Sequence, residues 1–336
     1  MSTQTMTFAK ALTAGLRASL EADDHVMIMG EDVGRLGGVF RITDGLQKDF
    51  GEHRVVDTPL AESGIVGTAI GLAMRGYRPI CEIQFDGFVF PAYDQITTQL
   101  AKLHYRSRGA IRLPVVIRIP YGGGIGAIEH HSESPEALFA HTPGLRVVSP
   151  ATPQDAYDMI RAAVVSPDPV IFFEPKGRYW SKGEVDLDSP VATATSDGGT
   201  PDPLGQARIA RAGTDVTLVA YGPTVATALS AADALAAEGT SAEVVDLRSL
   251  SPMDVPAVVD SVRRTGRCVV VHEAPTFFGA GAELAARVTE ECFYSLEAPV
   301  LRVGGFHTPY PVAKIEHDYL PSTDRVLDAV DRALAH

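Results

Sequence analysis

Cysteine is scarce in this sequence, which has only three in 336 residues. Cys81, Cys268 and Cys292 lie far apart, and no two of them have the CxxC spacing of a zinc site or a redox motif. An odd number of cysteines also argues against a disulfide framework. The sequence therefore predicts free thiols and a reducing, cytoplasmic location.

The chain also lacks an excess of positive charge and a long hydrophobic run. Its net charge of −13 disfavours non-specific binding to nucleic acid or to an anionic membrane. The longest uncharged run, residues 216–232, is interrupted by Gly222 and Pro223 and is too short to span a bilayer. The first residues lack the cationic start and apolar block of a signal peptide. We therefore expect neither a nucleic-acid partner nor a membrane partner.

Standard cofactor and nucleophile motifs are missing as well. There is no Walker loop, no HExxH, no GxSxG and no GxGxxG between a strand and a helix. Gly122–Gly126 follows a predicted strand, but no amphipathic helix follows it, which favours a flexible active-site or interface loop. Its continuation holds His130 and His131, which would point to opposite faces of a strand and so chelate a metal poorly. We expect one of them to donate a proton, with a solvated loop histidine as the alternative.

What the sequence does contain is a regular alternation of apolar strands and amphipathic helices. This alternation predicts βαβ units and mostly parallel sheets. The predicted strands are residues 26–29, 53–57, 79–85, 113–119, 146–149, 169–173, 216–221, 243–247, 268–272 and 300–303. The predicted helices begin with a stripe of Phe8, Leu12, Leu16 and Leu20. They continue with a helix from residue 62 to Gly76, helices over residues 91–103 and from 153, and helices over 224–237, 255–263, 281–292 and 324–335.

Length and composition divide the chain into two domains, because 336 residues exceed the usual size of one core. The regular pattern lapses between about residues 176 and 204, where Asp, Ser, Thr, Gly and Pro dominate. We predict a first domain over residues 1–180, a linker over 181–206 and a second domain over 207–336. Each domain is expected to be an α/β fold of three layers.

One carboxylate, that of Glu62, lies where an apolar turn meets the start of a Gly-rich helix. Pro59 keeps Thr58 out of the helical region, so the chain must turn before the helix begins. A carboxylate in the first turn of a helix is favoured by the helix dipole, so simple capping is one interpretation of Glu62. The apolar neighbours offer no polar partner, however, and desolvation would favour the neutral acid. Glu62 is therefore a candidate for sharing a proton with a bound base.

A second candidate segment, Gln84-Phe85-Asp86-Gly87-Phe88, follows the next predicted strand. It lies at the edge where open α/β sheets bind ligands. One amide and two aromatic rings there could hold a flat heterocycle. On this segment alone, ordinary packing of aromatic side chains in the core is the favoured interpretation.

Taken together, these segments resemble the beta chain of the decarboxylase component of thiamine-diphosphate-dependent 2-oxo acid dehydrogenase complexes, a transketolase-like family. The resemblance spans nearly the whole chain. It is carried in order by residues 30–33, 57–62, 82–85 and 131–137. The branched-chain 2-oxo acid dehydrogenases are most similar, through residues 172–176, 272–275, 290–293 and 296–299.

The resemblance implies a first domain that binds the pyrimidine of thiamine diphosphate and a second domain like the C-terminal domain of transketolase. It also implies an α2β2 heterotetramer whose separate alpha subunit holds the diphosphate and Mg²⁺. In agreement, no GDG followed by paired Asn occurs here. By motif position, the cofactor-binding residues would be Glu62 on the aminopyrimidine ring nitrogen, Leu60 and Gln84 lining the ring, Phe88 stacked on it, and Glu31. Branched-chain relatives commonly carry Tyr where this chain has Phe88, and Tyr or Gln where it has His130.

The implied reaction is oxidative decarboxylation through a thiamine ylide, followed by acyl transfer to the lipoyl-lysine of an acyltransferase component. Glu62 would favour the imino tautomer of the pyrimidine, which takes the proton from the thiazolium carbon. His131 would be the proton donor in the transfer to lipoyl. Family members also hold a structural K⁺ through backbone carbonyls, which map here near Leu113, Val115, Val116, Ala163, Ser166 and Asp168.

Three alternatives to a branched-chain enzyme remain. A pyruvate or acetoin dehydrogenase beta subunit would share the cofactor and the mechanism but differ in the acyl pocket. A single-chain transketolase-like enzyme is disfavoured by the missing diphosphate motif. A non-catalytic assembly scaffold is disfavoured because both Glu62 and His131 are present.

Overall fold

The computed structural model describes residues 3–191 and 204–336 and contains two α/β domains built on parallel sheets, as the alternating pattern predicts. Within the described residues the strands are, in chain order, β1 (Thr3–Thr7), β2 (Val26–Gly30), β3 (Val55–Asp57), β4 (Arg78–Glu82), β5 (Val116–Tyr121), β6 (Arg146–Val148), β7 (Val170–Pro175), β8 (Lys182–Asp186), β9 (Arg208–Arg211), β10 (Val216–Ala220), β11 (Ala242–Asp246), β12 (Ser249–Ser251), β13 (Cys268–Pro275) and β14 (Leu301–Gly305).

The helices lie on both faces of these sheets. In chain order they are α1 (Phe8–Ala22), α2 (Leu46–Phe50), α3 (Glu62–Met74), α4 (Leu103–Arg106), α5 (Glu136–Ala140), α6 (Pro153–Val165), α7 (Thr224–Ala237), α8 (Val255–Thr265), α9 (Ala280–Cys292), α10 (Glu316–Tyr319) and α11 (Thr323–Leu334). None of them, over the described ranges, combines the length and apolar character needed to cross a membrane.

The first domain has a seven-stranded sheet in the described part of the chain, with the order β12-β6-β7-β5-β4-β2-β3. Its strands run parallel except β12, which is antiparallel to β6. Helix α1 covers one face with the predicted stripe, whose four members are all buried. Gly15 lets α1 approach α6 closely, because a Cβ there would lie 2.4 Å from Ile160 Cγ2.

The second domain has a five-stranded sheet among its described residues, with the order β14-β13-β10-β11-β9, and only the edge strand β9 is antiparallel there. The two domains are in direct contact. One apolar cluster continues from Tyr121 and Leu145 of the first domain to Leu247 and Leu250 of the second. Strand β12 strengthens this contact, since it comes from the second half of the chain but pairs with the first domain's sheet.

The predicted linker over residues 181–206 differs from the structure at its start. Residues Lys182–Asp186 form β8, which pairs antiparallel with β1 and buries Val185. The charged and glycine residues around Val185 conceal this short ribbon in the sequence pattern. The predicted linker also includes residues 192–203, which lie outside the described residues.

The predicted helix over residues 91–103 is wrong as a single α-helix. Asp86–Ala92 form a 3₁₀ helix that contains Pro91, and Gln95–Leu100 form a π-helix before the short α4. Pro91 has no N–H to donate, and the β-branched run Ile96, Thr97 and Thr98 lowers helix propensity. The Thr97 hydroxyl also donates to the Tyr93 carbonyl at 2.9 Å.

Candidate active site

The carboxyl ends of β3, β2 and β4, which are neighbours in the sheet, bring together three of the segments that the sequence singles out. Glu31 follows β2, Thr58 follows β3, and Gln84 follows β4. The ends of β2 and β3 are joined directly, because Thr58 N donates to the Gly30 carbonyl at 2.9 Å. Open α/β sheets bind ligands at this edge.

Asp57 fixes the turn that carries Glu31. Its carboxylate accepts hydrogen bonds from Gly34 N at 2.6 Å and from Arg35 N at 3.4 Å. A Cβ at position 34 would lie 2.5 Å from Asp57 Oδ2 and 2.1 Å from Gln47 Nε2, so a larger residue would displace these side chains. Asp57 therefore acts on the site by holding the segment after β2 in place.

Glu62 is the first residue of α3 and its side chain is buried, with 8% of its surface exposed. Ala61 precedes it and offers no side-chain cap to the helix. Burial, together with the charges of Glu62 and Asp32, raises the pKa of Glu31. Glu31 and Glu62 are therefore close enough to interact electrostatically.

One oxygen of Glu31, Oε1, and the hydroxyl oxygen of Thr58 are inaccessible to solvent and have no hydrogen-bond partner among the described residues. We call Glu31, Thr58 and Glu62 the polar cradle. A buried polar atom without a partner costs about 1–3 kcal/mol, which a bound ligand can offset. Carboxylates accept hydrogen bonds, so the polar cradle suits a flat heterocycle that presents N–H donors.

An aromatic group lies at the neighbouring strand end. The ring of His131 stacks on Phe85 with centroids 3.9 Å apart, and it meets Phe88 edge-on at 5.1 Å. His130 immediately precedes His131, and its carbonyl oxygen packs against Gly87. A Cβ at position 87 would lie 2.3 Å from that oxygen. The His131 Nδ1 lies 2.9 Å from that carbonyl. Because a carbonyl can only accept, Nδ1 carries hydrogen here and Nε2 is left for a reacting partner.

The remaining predicted ring-binding residues also lie at this edge. Gln84 is half-buried, Phe88 packs against the apolar cluster that includes α3, and Leu60 is 78% exposed just before α3. Their contact with a cofactor stays a prediction.

Next to the site, the structure contains a buried network of charged residues that the sequence did not predict. Arg118 donates to Glu82 at 2.6 Å and to the two oxygens of Glu174 at 2.6 and 3.0 Å. Tyr179 donates to Glu174 at 2.7 Å. We call these four residues the charge network. Burial raises the pKa of Glu82, although Arg118 opposes that shift. Charged residues inside apolar strand patterns, as in Val-Ile-Arg-Ile, were the available signal.

A second buried ion pair supports the aromatic group. Lys176 Nζ lies 2.8 Å from Asp86 Oδ1, and Asp86 Oδ2 accepts from Glu133 N at 2.9 Å. Burial lowers the pKa of Lys176 and raises that of Asp86. The pair joins the segment after β4 to the end of β7 and to the residues just after His131.

The six residues mapped to a K⁺ site fall into two adjacent segments, one leading into β5 and one running from α6 towards β7. The segments are joined by Val170 N donating to the Val115 carbonyl at 2.9 Å. The Leu113 carbonyl accepts from Val115 N at 2.8 Å, and the Asp168 carbonyl accepts from Ser166 Oγ at 3.0 Å. Potassium binding stays a prediction. Over residues 3–191 and 204–336, no three His, Cys, Asp or Glu side chains are grouped to hold a metal.

Comparison with known protein families gives a match over each domain. Residues 4–181 match the transketolase pyrimidine-binding domain, and residues 205–326 match the transketolase C-terminal domain.

Named relatives cover almost the whole chain. A pyruvate dehydrogenase E1 component subunit beta of Leifsonia xyli subsp. xyli is 62% identical, over 99% of this chain and 96% of that one. A 3-methyl-2-oxobutanoate dehydrogenase subunit beta of Mycobacterium tuberculosis is 52% identical, over 99% and 93%. Among solved structures, a split-gene transketolase described as an inactive beta4 tetramer has a TM-score of 0.78 and 25% identity, over 98% of each chain.

Proposed function

Because this chain belongs to the family of 2-oxo acid dehydrogenase E1 beta subunits, which carry transketolase-type pyrimidine-binding and C-terminal domains, we propose that it is the beta half of an α2β2 decarboxylating enzyme. The polar cradle is the observation that carries this proposal. It offers the carboxylates of Glu31 and Glu62 and the hydroxyl of Thr58 at the ligand-binding edge of the sheet, and Glu31 Oε1 and Thr58 Oγ1 have no partner among the described residues.

The residues present fit the aminopyrimidine of thiamine diphosphate, the cofactor of this enzyme family. An aminopyrimidine has an amino group and a ring nitrogen that donates when protonated, and these groups complement carboxylate and hydroxyl oxygens. When bound, thiamine diphosphate supplies the electron sink for loss of CO₂ from a 2-oxo acid.

In this proposal Glu62 holds a proton at the ring nitrogen of the pyrimidine. Its burial at the start of α3, at the ligand-binding edge of the sheet, makes the carboxylate suitable for that role. Glu31 and Thr58 bind the same ring, while Leu60, Gln84 and Phe88 line it. General acid–base assistance of this kind contributes about 10²–10⁴-fold to a rate.

His131 is proposed to act as an imidazolium, with hydrogen on both ring nitrogens, and to donate the Nε2 proton when the acyl group is transferred to the lipoyl-lysine of an acyltransferase component. Its ring is held by Phe85, Phe88 and the His130 carbonyl, so that Nε2 has a defined direction. Imidazole is suited to proton transfer near neutral pH.

An alpha subunit is proposed to hold the diphosphate and Mg²⁺. The sequence has no diphosphate motif, and the N–H groups of the Gly-rich loop after β5 already donate to carboxylates of this chain. Calorimetric titration with Mg²⁺ and thiamine diphosphate tests whether the cofactor site is divided between the two subunits. We expect tight binding by the reconstituted α2β2 enzyme and weak binding by this chain alone. Tight binding and decarboxylation by the isolated chain would overturn it.

Branched-chain 2-oxo acids are the first proposed substrates. Support comes from the four segments that resemble branched-chain enzymes and from the 52% identical relative named for 3-methyl-2-oxobutanoate. Pyruvate is the second candidate, favoured by the 62% identical relative named for it. None of the four segments lies in the polar cradle. Comparison of kcat/KM for 3-methyl-2-oxobutanoate and pyruvate with the α2β2 enzyme decides between them, and a clear pyruvate preference overturns the first proposal.

A further inference from the structure

The loop that carries His131 is closed at its base. Gly122 N donates to the Glu133 carbonyl at 3.0 Å, so residues 122–133 leave β5 and return to the same point. The Asp86–Lys176 ion pair fixes that base through Glu133 N. We call residues 122–133 the histidine loop. Compact loops whose ends meet in this way are frequently functional.

The first limb of the histidine loop is bound by the second domain. Gly123 N donates to the carboxylate of Glu273, which lies on β13. Gly124 N donates to Glu316 Oε1 at 2.9 Å, and Gly126 N donates to Glu316 Oε2 at 3.1 Å. Two carboxylates of the second domain thus bind three backbone N–H groups of the first.

Glycine is needed in this limb for two reasons. Gly122, Gly124 and Gly126 have φ values of 76°, 88° and 69°, in the left-handed region that favours glycine. At position 123, a Cβ would lie 1.8 Å from the Tyr310 hydroxyl oxygen. Successive N–H groups in such a conformation make an anion-binding concavity. Here the anions are side chains of the same protein.

The Glu316 carboxylate is itself held in place. Glu316 is the first residue of α10, and Tyr310 donates to its Oε1 at 2.7 Å. Each oxygen of Glu316 also accepts from a different glycine. An amide in its place would put an NH₂ group against one of those two N–H donors.

The second limb of the histidine loop, which contains His131, is held by the first domain through Phe85 and Gly87. The His131 ring therefore depends on restraints from both domains. Loss of the second-domain restraint would leave the first limb with three free N–H groups and glycines of high conformational freedom.

We propose that Glu316 and Glu273 are positioning residues for His131. They hold the histidine loop from the second domain, so that the imidazole is oriented to donate a proton during acyl transfer. The role of His131 in acyl transfer rests on the proposed function. The binding of the loop by the two carboxylates does not.

The test uses Glu316→Gln in the reconstituted α2β2 enzyme. Two rates are measured: decarboxylation with an artificial electron acceptor, and acylation of a lipoyl domain. We expect lipoyl acylation to fall about tenfold, part of the 10²–10⁴-fold that a general acid contributes, and decarboxylation to fall less. His131→Ala should show the same asymmetry more strongly. The double variant should be no slower than His131→Ala.

A second measurement does not depend on the reaction. Hydrogen–deuterium exchange of peptides spanning residues 122–133 should be faster in Glu316→Gln. Tyr310→Phe removes only the hydroxyl that orients Glu316, so it should show the same change in smaller degree. Glu291→Gln is the matched control, because Glu291 pairs with Arg287 on the exposed face of α9. It should leave both the exchange and the two rates unchanged.

Unchanged exchange in both Glu316→Gln and Tyr310→Phe would overturn the binding of the loop by the second domain. Faster exchange with equal losses in the two rates would overturn the positioning role, provided that His131→Ala shows the asymmetry. If His131→Ala itself reduces both rates equally, the proposed function of His131 fails instead, and the exchange result still stands as the test of the loop.

Discussion

Two groups of polar residues, the charge network and the polar cradle, lie at neighbouring strands of the first domain, and they differ in how their inaccessible atoms are bonded. In the charge network, Arg118 donates through all three of its guanidinium nitrogens. In the polar cradle, Glu31 Oε1 and Thr58 Oγ1 are just as inaccessible but have no partner. The charge network therefore satisfies its cation within the chain, whereas the polar cradle leaves two oxygen atoms for the proposed ligand.

This difference separates residues that look alike in the sequence. Glu62, Glu82 and Glu174 are all buried carboxylates. Glu82 and Glu174 share one cation, so removal of that cation would leave two charges without compensation. Glu62 begins a helix and has no cation within its group. Substitutions in the two groups should therefore affect different measurements.

The largest effect is expected at Glu62. Glu62→Gln keeps the shape of the side chain but cannot give and recover a proton. We expect kcat of the α2β2 enzyme to fall by at least about 10²-fold, the lower bound for acid–base assistance, with little change in melting temperature. The measurement is kcat and melting temperature on the same reconstituted sample.

Glu52→Gln serves as the control, because Glu52 is an exposed carboxylate on the turn that precedes β3. If Glu62 only caps α3, its replacement would instead cost about 0.3–1 kcal/mol of stability and leave kcat nearly unchanged. Near-normal kcat with a lowered melting temperature would place Glu62 with the structural carboxylates and remove it from the mechanism.

The next effect concerns stability. Arg118→Met removes the cation of the charge network and leaves Glu82 and Glu174 buried together. We expect the free energy of unfolding to fall by about 3–5 kcal/mol, the usual result of breaking a buried ion pair. Urea unfolding followed by circular dichroism measures this change.

Arg211→Met is the matched control, since Arg211 pairs with Asp233 at the surface and such pairs contribute at most about 1 kcal/mol. Equal destabilisation by the two substitutions would show that the charge network contributes no more than a surface pair. The contrast with the polar cradle would then have no energetic basis.

Glu62 could be predicted as a site residue from the sequence, whereas the ion-pair partners of Arg118 could not. Glu62 is recognised locally, because Pro59 and the helical pattern after it define a turn and a helix start within a few residues. The partners of Arg118 are 36 and 56 residues away. Their contact depends on strand order and register, with Glu82 directly opposite Arg118 across β4 and β5. Neither the strand order nor the register can be deduced from a few consecutive residues.

The histidine loop illustrates the same limit. Its glycines and histidines are evident in the sequence, and they predict an active-site or interface loop. The carboxylates that bind it, Glu273 and Glu316, lie 150 and up to 192 residues further along the chain. They become neighbours only when the second domain packs on the first. The predicted α-helix over residues 91–103 was wrong for a local reason. Pro91 and the β-branched run that follows it disfavour a regular α-helix, although the hydrophobic spacing is helical.

Another buried carboxylate, Glu136, shows that a missing counter-ion can be explained by protonation. Its Oε1 accepts from Tyr221 of the second domain at 2.6 Å, whereas its Oε2 has no partner, and no cation pairs with it, in the part of the chain that the structure describes. Burial raises the pKa of Glu136 to about 7. A neutral acid there needs no counter-ion.

The smallest expected effect is therefore a change in how stability depends on pH. The pKa of Glu136 is higher in the folded chain than the ordinary value of about 4.3, so the folded state binds more protons between these two values. Stability should accordingly fall as pH rises from about 4.5 to 7, and Glu136→Gln, which cannot ionise, should remove that part of the fall. Relative to the unaltered protein, the variant should gain about 1–3 kcal/mol between pH 5 and pH 8, measured by urea unfolding at each pH. Burial also lowers the pKa of His272 to about 4, and this contribution is common to both proteins. Burial and the charge of Glu136 raise the pKa of Glu273 to about 7, so Glu136→Gln should also lower the Glu273 pKa and change stability in the same direction. Parallel pH profiles for the two proteins would mean that Glu136 stays ionised when folded, and its free oxygen would then mark a second place that needs a donor from outside the chain.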